Sequence, residues 1–346
     1  MLDDLKLIHE RDSQDTLGTA ENQWMQLERE YNPKIYDNFQ PAHIVYCGMG
    51  GSALAAALST SWPRYKIPFE LVRNYDIPAY VSDETLFIAS SYSGNTEETL
   101  HALSIAEERG AKILVISNGG KLLDHAKKHD YPTISVDQVR GPRYAVLGEL
   151  KALVSLLRPY NVFAAEGIDD ILHKTIEFLK EAVTEWVPTV PTASNPAKML
   201  AQELIGQSVA VYAGPSLFPA AYKWKIDLNE NAKQLAWTDA YPEFNHNEFL
   251  GWTKQPVQKP YVVVELRSNL EHPRTQRRFM VTERLLSGMR PAPHVVNVPG
   301  ETLLEQLVWA VAFGDFVSLY VAILSGVNPG PVELMEKFKL EMNAKT

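Results

Sequence analysis

The sequence predicts an α/β chain built as two doubly wound parallel-sheet domains, and three observations carry that expectation. Short apolar runs of strand length alternate with longer runs of helix length almost throughout the chain. Two early strand-like runs, His43-Ile44-Val45-Tyr46-Cys47 and Thr85-Leu86-Phe87-Ile88-Ala89, pass directly into glycine- or hydroxyl-rich turns that open helices. At 346 residues the chain also exceeds what one core usually serves, so a division into residues 1–157 and 158–346 is expected.

Residues 1–40 are charged and weakly periodic; 19–31 is the best helix candidate there, ended by Asn32-Pro33. The strand at 43–47 then enters Gly48-Met49-Gly50-Gly51-Ser52 and the Ala-rich helix 53–58. Strands follow at 69–73, 85–91, 112–116 and 133–136, with a helix at 100–109. Strands alternating with helices imply a parallel sheet, whose ligands bind beyond the carboxyl ends of the strands, and both special turns lie at that edge. A helix at 145–157 closes the first half, and Arg158-Pro159-Tyr160-Asn161 followed by Gly167 marks the boundary. The second half reads as helices at 168–186 and 196–206, a strand at 208–212, the turn Ala213-Gly214-Pro215-Ser216 and a helix reaching Glu230. Strands at 261–266 and 294–298 then alternate with helices at 272–286, 302–325 and 331–341. The similarity of residues 46–52 to 212–216 suggests a repeated architecture; the second turn lacks the glycine cluster, which would leave phosphate chemistry in the first half only.

Composition bounds the function. The chain is 45% hydrophobic and 22% charged, without an apolar run approaching the roughly 18 residues of a membrane span. Its start, Met1-Leu2-Asp3-Asp4-Leu5, lacks the basic and apolar regions of a signal peptide, so a cytoplasmic location is expected. A formal charge of −9 argues against nucleic acid or an anionic membrane as partner, though a small anion remains compatible with locally concentrated donors. The single cysteine, Cys47, excludes an intrachain disulfide and a cysteine zinc cluster, and its apolar setting reads as a buried inert thiol. His125 and His129 have metal-ligand spacing on a helix, but they stand among Asp124, Lys127, Lys128 and Asp130 with no third ligand in view, so no metal is assigned.

The serine turn, Ser90-Ser91-Tyr92-Ser93-Gly94-Asn95-Thr96-Glu97-Glu98-Thr99, is the organising stretch. Ser91, Ser93 and Thr96 add donors to the unpaired N–H groups of a helix start, which is a cradle for a phosphate; the same residue types equally serve as an N-cap. The glycine turn, read as Gly48-x-Gly50-x-x-Ala53, matches a dinucleotide fingerprint, which also needs an acidic residue at the end of the next strand. That strand ends in Arg73-Asn74; an NADP preference through Arg73 would leave the serine turn unexplained, whereas one phosphate held by both turns accounts for Gly50, Gly51, Ser52, Ser91, Ser93 and Thr96 together. In the second half, Asn229-Glu230-Asn231-Ala232-Lys233 and Glu243-Phe244-Asn245-His246-Asn247-Glu248 form a polar cluster with Trp237, Tyr241, Phe249 and Trp252 around it. Those rings could dry a carboxylate and raise its pKa toward that of a working base; the competing reading is two capped helix ends.

Gly48-Met49-Gly50-Gly51-Ser52, the serine turn, Pro142-Arg143, Asn229-Glu230-Asn231-Ala232-Lys233 and Asn245-His246-Asn247-Glu248 resemble, in that order, the motifs of the bifunctional phosphoglucose/phosphomannose isomerases of the sugar isomerase domain superfamily. The resemblance runs from about residue 43 to Lys339. It implies two sugar isomerase domains with the active site in the cleft between them, no cofactor, and interconversion of glucose 6-phosphate, with mannose 6-phosphate as a second substrate, and fructose 6-phosphate. By similarity, Ser52, Ser91, Ser93 and Thr96 hold the sugar phosphate, Glu230 moves the proton between C1 and C2, and Arg143 stabilises the enediolate. His246 would help open the ring from the neighbouring subunit of a homodimer, and Lys339 matches a C-terminal active-site lysine by position. The chain departs from the family pattern at Ala53-Leu54-Ala55-Ala56, at Gly141 and at Asn328-Pro329-Gly330-Pro331. Two competing functions are a non-catalytic sugar-phosphate sensor, which has no use for Glu230 and His246, and an NADP oxidoreductase.

Overall fold

The computed structural model describes residues 1–254 and 261–343. The chain opens on α1 (Leu5–Arg11), and the single helix expected over 19–31 is replaced by two short ones, α2 (Thr16–Glu21) and α3 (Met25–Glu28). Aspartates interrupt helix growth here. The Asp12 carboxylate accepts from Thr16 N at 2.9 Å and Leu17 N at 2.8 Å, so it starts α2 where a continuous helix would need those donors elsewhere.

The first sheet contains β1 (His43–Cys47), β2 (Phe69–Val72), β3 (Thr85–Ser90), β4 (Lys112–Ile116) and β5 (Thr133–Ile134) in the order β2-β1-β3-β4-β5. Every pairing is parallel, and the last strand is shorter than expected. α4 (Gly51–Ser61) and α7 (Val146–Leu157) cover one face; α5 (Glu97–Glu108) and α6 (Gly120–Lys128) cover the other. Because both faces are covered, β3 is buried at every position and shows a continuous apolar run without alternation.

The second unit begins with α8 (Ile168–Val183) and α9 (Pro196–Leu204). It continues as β6 (Ser208–Ala213), α10 (Phe218–Glu230), β7 (Ala236–Ala240), α11 (Glu248–Gly251), β8 (Tyr261–Arg267), α12 (Pro273–Leu285), β9 (His294–Asn297), α13 (Leu303–Leu324) and α14 (Glu333–Asn343). The sheet is again parallel, in the order β7-β6-β8-β9. The sequence pattern does not announce β7: as a half-buried edge strand carrying Thr238 and Asp239 it has no apolar run, and only its pairing with β6 defines it.

One hydrophobic core runs through both units, joining Ile44, Tyr46 and Ile88 beneath the first sheet to Val209, Val211 and Val264 of the second through α4, α7, α10 and α13. α13 is its axis. With 22 residues and a mean hydropathy of 2.0 it has the length and composition of a membrane span, contrary to the expectation from the sequence, where Glu305 and Asp315 interrupt the run. Its most apolar stretch is 89% buried within the protein, Asp315 is paired with Lys223 at 2.6 Å, and Thr302 and Glu305 form a capping box, so it packs as a core helix. The first two helices lie against this second unit, where the Arg11 guanidinium donates to the Ile323 carbonyl and Lys198 Nζ lies 3.4 Å from Asp3, while α3 packs on α7 through Gln26.

Candidate functional site

Strand order reverses between β1 and β3, so the turns that follow these two strands meet at the carboxyl edge of the first sheet, the position where open α/β sheets bind ligands. The glycine turn delivers Gly50, exposed, to the edge, and Gly51 opens α4. A Cβ on Gly51 would lie 2.8 Å from the Pro142 carbonyl group, so glycine is what lets the 3-10 turn Pro142–Tyr144 close against it. In the serine turn, Ser91 is buried, with Oγ 2.7 Å from Thr96 Oγ1 and accepting from Gly94 N at 3.1 Å. Ser93 is exposed, and its Oγ accepts from Asn95 N at 3.3 Å while keeping its own proton for a ligand. Thr96 precedes α5 without making a side-chain cap, which leaves the first N–H groups of α5 open. The geometry therefore favours an anion cradle over an N-cap. Ser52 is different. It is buried, its Oγ lies 3.0 Å from Glu149 Oε1, and it accepts from Tyr92 N at 3.0 Å, so it ties the two turns together at their base.

Arg143 leads from this edge to the second unit. Its guanidinium is buried, with Nε 2.6 Å from Asn231 Oδ1, Nη2 bonded to the carbonyls of Pro329 and Gly330 at 2.9 and 3.2 Å, and Nη1 3.3 Å from Glu230 Oε2. Burial pulls its pKa down, but Tyr144 and Glu230 more than offset this and the net shift is upward. Glu230 is the last residue of α10 and borders a cleft of ≈ 540 Å³ with Asn229, Lys233, Asn328 and Val332. Asn231 and Lys233, for which sequence reasoning gave no role, fix this helix end. Asn231 accepts from Arg143 and Tyr144 and donates to Ser318 Oγ of α13 at 2.9 Å. Lys233 Nζ donates to the carbonyls of Glu230 and Pro331 at 2.7 and 2.8 Å. Beneath them Lys223 is fully buried between Asp227 and Asp315 at 2.5 and 2.6 Å. The Pro-Gly departure at 329–330 thus supplies the carbonyls that hold Arg143.

His246 lies elsewhere. α10 runs antiparallel to the strands, so Glu230 sits at the amino edge of the second sheet, whereas His246 follows the carboxyl end of β7 and is exposed. The two are separated by a helix of 13 residues, about 20 Å long. Lys339 is exposed on α14, which begins at the rim of the cleft, and pairs with Glu336 at 2.8 Å. The drying of Glu230 by aromatic rings is not realised. Trp237, Tyr241, Phe249 and Trp252 instead pack with Tyr212 on the opposite face of the second sheet, where Tyr212 and Trp237 donate to Glu248. Arg73 lies over the Tyr222 ring of α10, 5.1 Å from its centre. Cys47 is buried as expected, its thiol pushed up to about 12 by burial. The third partner that the sequence did not reveal for His125 and His129 is Glu107 of α5. One ligand atom from each of the three residues lies within 4.8 Å of the others, and Glu107 Oε1 is hydrogen-bonded to His125 and Tyr131, each at 2.6 Å.

Two parallel sheets, with a hydroxyl-rich turn at one switch point, define a chain of the sugar isomerase domain class. The SIS domain family matches residues 39–139, and the family described as the bacterial phospho-glucose isomerase C-terminal SIS domain matches residues 193–342. The chain is 34% identical over 301 residues to a bifunctional phosphoglucose/phosphomannose isomerase of Caldicellulosiruptor bescii, covering 86% of this chain and 88% of that one. It is 31% identical over 303 residues to the protein of that name from Aquifex aeolicus, covering 86% and 90%. A glucose-6-phosphate isomerase like protein from Thermus thermophilus shares the fold, with a TM-score of 0.66 at 18% identity and 98% of each chain covered. The chain belongs to the bifunctional phosphoglucose/phosphomannose isomerase family.

Proposed function

We propose that this chain interconverts glucose 6-phosphate, and mannose 6-phosphate, with fructose 6-phosphate through an enediolate. The observation that carries the reading is the meeting of Glu230 and Arg143, 3.3 Å apart, at a cleft joined through Pro142 and Gly51 to the hydroxyl-rich turns. The phosphate rests on Ser93, Thr96 and the open N-terminus of α5, backed by Ser91. With the sugar ring opened, Glu230 takes the proton from C2. The C–H electron pair becomes the C1–C2 double bond, the carbonyl electrons move to the C1 oxygen, and Arg143 balances the charge that develops there. The hydroxyl proton on O2 passes to O1, Glu230 returns the carbon proton to C1, and the O2 electron pair closes the C2 carbonyl, which gives the ketose. His246, lying at the opposite edge of its own sheet, is the ring-opening group of a neighbouring subunit in a homodimer, and Lys339 approaches the site from α14. The division near residue 157 and a cytoplasmic location belong to the same proposal. A coupled assay starting from fructose 6-phosphate, read separately for glucose and mannose 6-phosphate, tests it: both products should form, and binding without turnover would leave a sugar-phosphate sensor.

A further inference from the structure

Behind the phosphate cradle the first unit buries a carboxyl group that the proposed reaction does not use. Glu149 sits in the first turn of α7, fully buried, with Oε1 3.0 Å from Ser52 Oγ. Its Oε2 has neither a hydrogen-bond partner nor contact with solvent. Ser52 in turn accepts from Tyr92 N in the serine turn at 3.0 Å, and its carbonyl accepts from the Tyr46 hydroxyl at 2.8 Å. One side chain from α7 thus fixes the hydroxyl that joins the glycine turn to the serine turn.

We propose that Glu149 is a positioning residue for phosphate binding, and that the proton it carries decides whether Ser52 can donate to the ligand. The inference rests on the phosphate site of the proposed function. Ser52 Oγ has one proton and two lone pairs, one of which is taken by Tyr92 N–H. When Glu149 is a neutral acid, its O–H donates to the second lone pair and leaves the Ser52 proton free to turn toward a phosphate oxygen. When Glu149 is ionised it can only accept, so it claims that proton and places a negative charge behind the cradle. The contact is the same O···O pair in both states; the direction of donation reverses.

The surroundings favour the neutral acid. Burial, partly opposed by the Ser52 hydrogen bond, pushes the Glu149 carboxyl up to about 8. A bare, buried Oε2 is also costly for a carboxylate. Among the described residues no cation is placed to compensate. α4 carries no titratable side chain, α3 presents neutral Gln26 to α7 while Glu28 is exposed, and Lys112 is at the far, amino end of β4. Arg143 is committed to Glu230 and Asn231, and Lys151, on α7 itself, pairs with Glu30. Tyr46 of β1 is the remaining titratable neighbour, its own pKa raised well above the usual value by burial and then by Glu149.

The sign follows directly. The binding-competent form is protonated, so affinity is full below the Glu149 pKa and falls as pH rises through it. Calorimetric titration with sorbitol 6-phosphate, which has no carbonyl to isomerise, isolates binding from turnover. Its phosphate is already a dianion over this range, since the second phosphate ionisation lies near 6. For wild type the Kd should weaken about tenfold between about pH 7 and about pH 9. Glu149→Gln, whose uncharged amide can donate to Ser52 at every pH, should hold its neutral-pH affinity across that range. Ser52→Ala, which keeps Glu149 but removes the hydroxyl, should lose the part of the pH dependence that runs through that hydroxyl and so fall well short of the tenfold change. A flat wild-type profile, a tenfold loss retained in Glu149→Gln, or one retained in Ser52→Ala would each overturn the inference. Failure of the isomerase reading appears separately, as absence of product in the coupled assay at neutral pH.

Discussion

Each of the two sheets has a switch point of its own, and the two are used in opposite ways. In the first, the turn after β1 and the turn after β3 meet with hydroxyls and open helix N–H groups between them. In the second, the turn after β6 meets the segment after β8, and the place of a ligand is taken by the protein's own carboxylate. Glu271, nearly buried, accepts from Ser216 N at 2.7 Å, and a Cβ on Gly214 would lie 2.3 Å from its Oε1. A carboxylate that accepts from the turn just ahead of α10 stands where the positive end of the helix dipole would draw a phosphate. The difference teaches that the architecture supplies the same kind of edge twice, and that local side chains decide whether it is left open or is closed by the protein's own carboxylate.

The largest expected effect comes from separating the two proposed proton-transfer groups, which lie at opposite edges of the second sheet. Glu230→Gln and His246→Ala should each lose about 10²-fold or more in kcat, the usual scale of acid–base catalysis. Mixed together they should recover about a quarter of wild-type activity, because half of the dimers are hybrids and each hybrid has one intact site. Mixtures as inactive as their parents would place both groups in one chain's site. Next comes the open edge. Ser93→Ala combined with Thr96→Ala removes two donors to a dianion, each worth about 1.5–3 kcal/mol, so KM for the sugar phosphate should rise by about 10²-fold or more. An unchanged KM would move the cradle elsewhere. The smallest effect belongs to the closed edge. Glu271→Gln should lower unfolding stability by about 1 kcal/mol in urea titration and leave KM unchanged; a change in KM there would erase the distinction between the two edges.

Much of this was legible in the chain itself, and where it was not the reason is physical. The glycine and serine turns are local features, each a strand running into a helix, so a short window of sequence contains the whole device. Glu230 at the end of α10 is legible for the same reason. Arg143 could be placed only by resemblance, because its partners come from residues 230, 231, 329 and 330, which are remote in sequence. The aromatic cluster misled: rings adjacent in sequence to Asn231 and His246 pack on the far face of β6 and β8 because β7 intervenes, a strand too polar to announce itself. Glu149 left a faint signal, a lone acid inside the apolar run Val146-Leu147-Gly148-Glu149-Leu150, but its partner Ser52 is 97 residues away. The same remoteness hid Glu107 from His125 and His129.

The central claim is that Glu230, paired with Arg143 at the border of the cleft, carries the proton between C2 and C1. It is tested most directly by incubating glucose 6-phosphate in deuterated water and following loss of the C2 proton by NMR. Wild type should exchange that proton as it isomerises, while Glu230→Gln, which keeps the shape of the side chain but cannot accept a proton, should bind the sugar phosphate and leave C2 unexchanged. Exchange at the wild-type rate in Glu230→Gln would contradict the account and pass the role of base to another group.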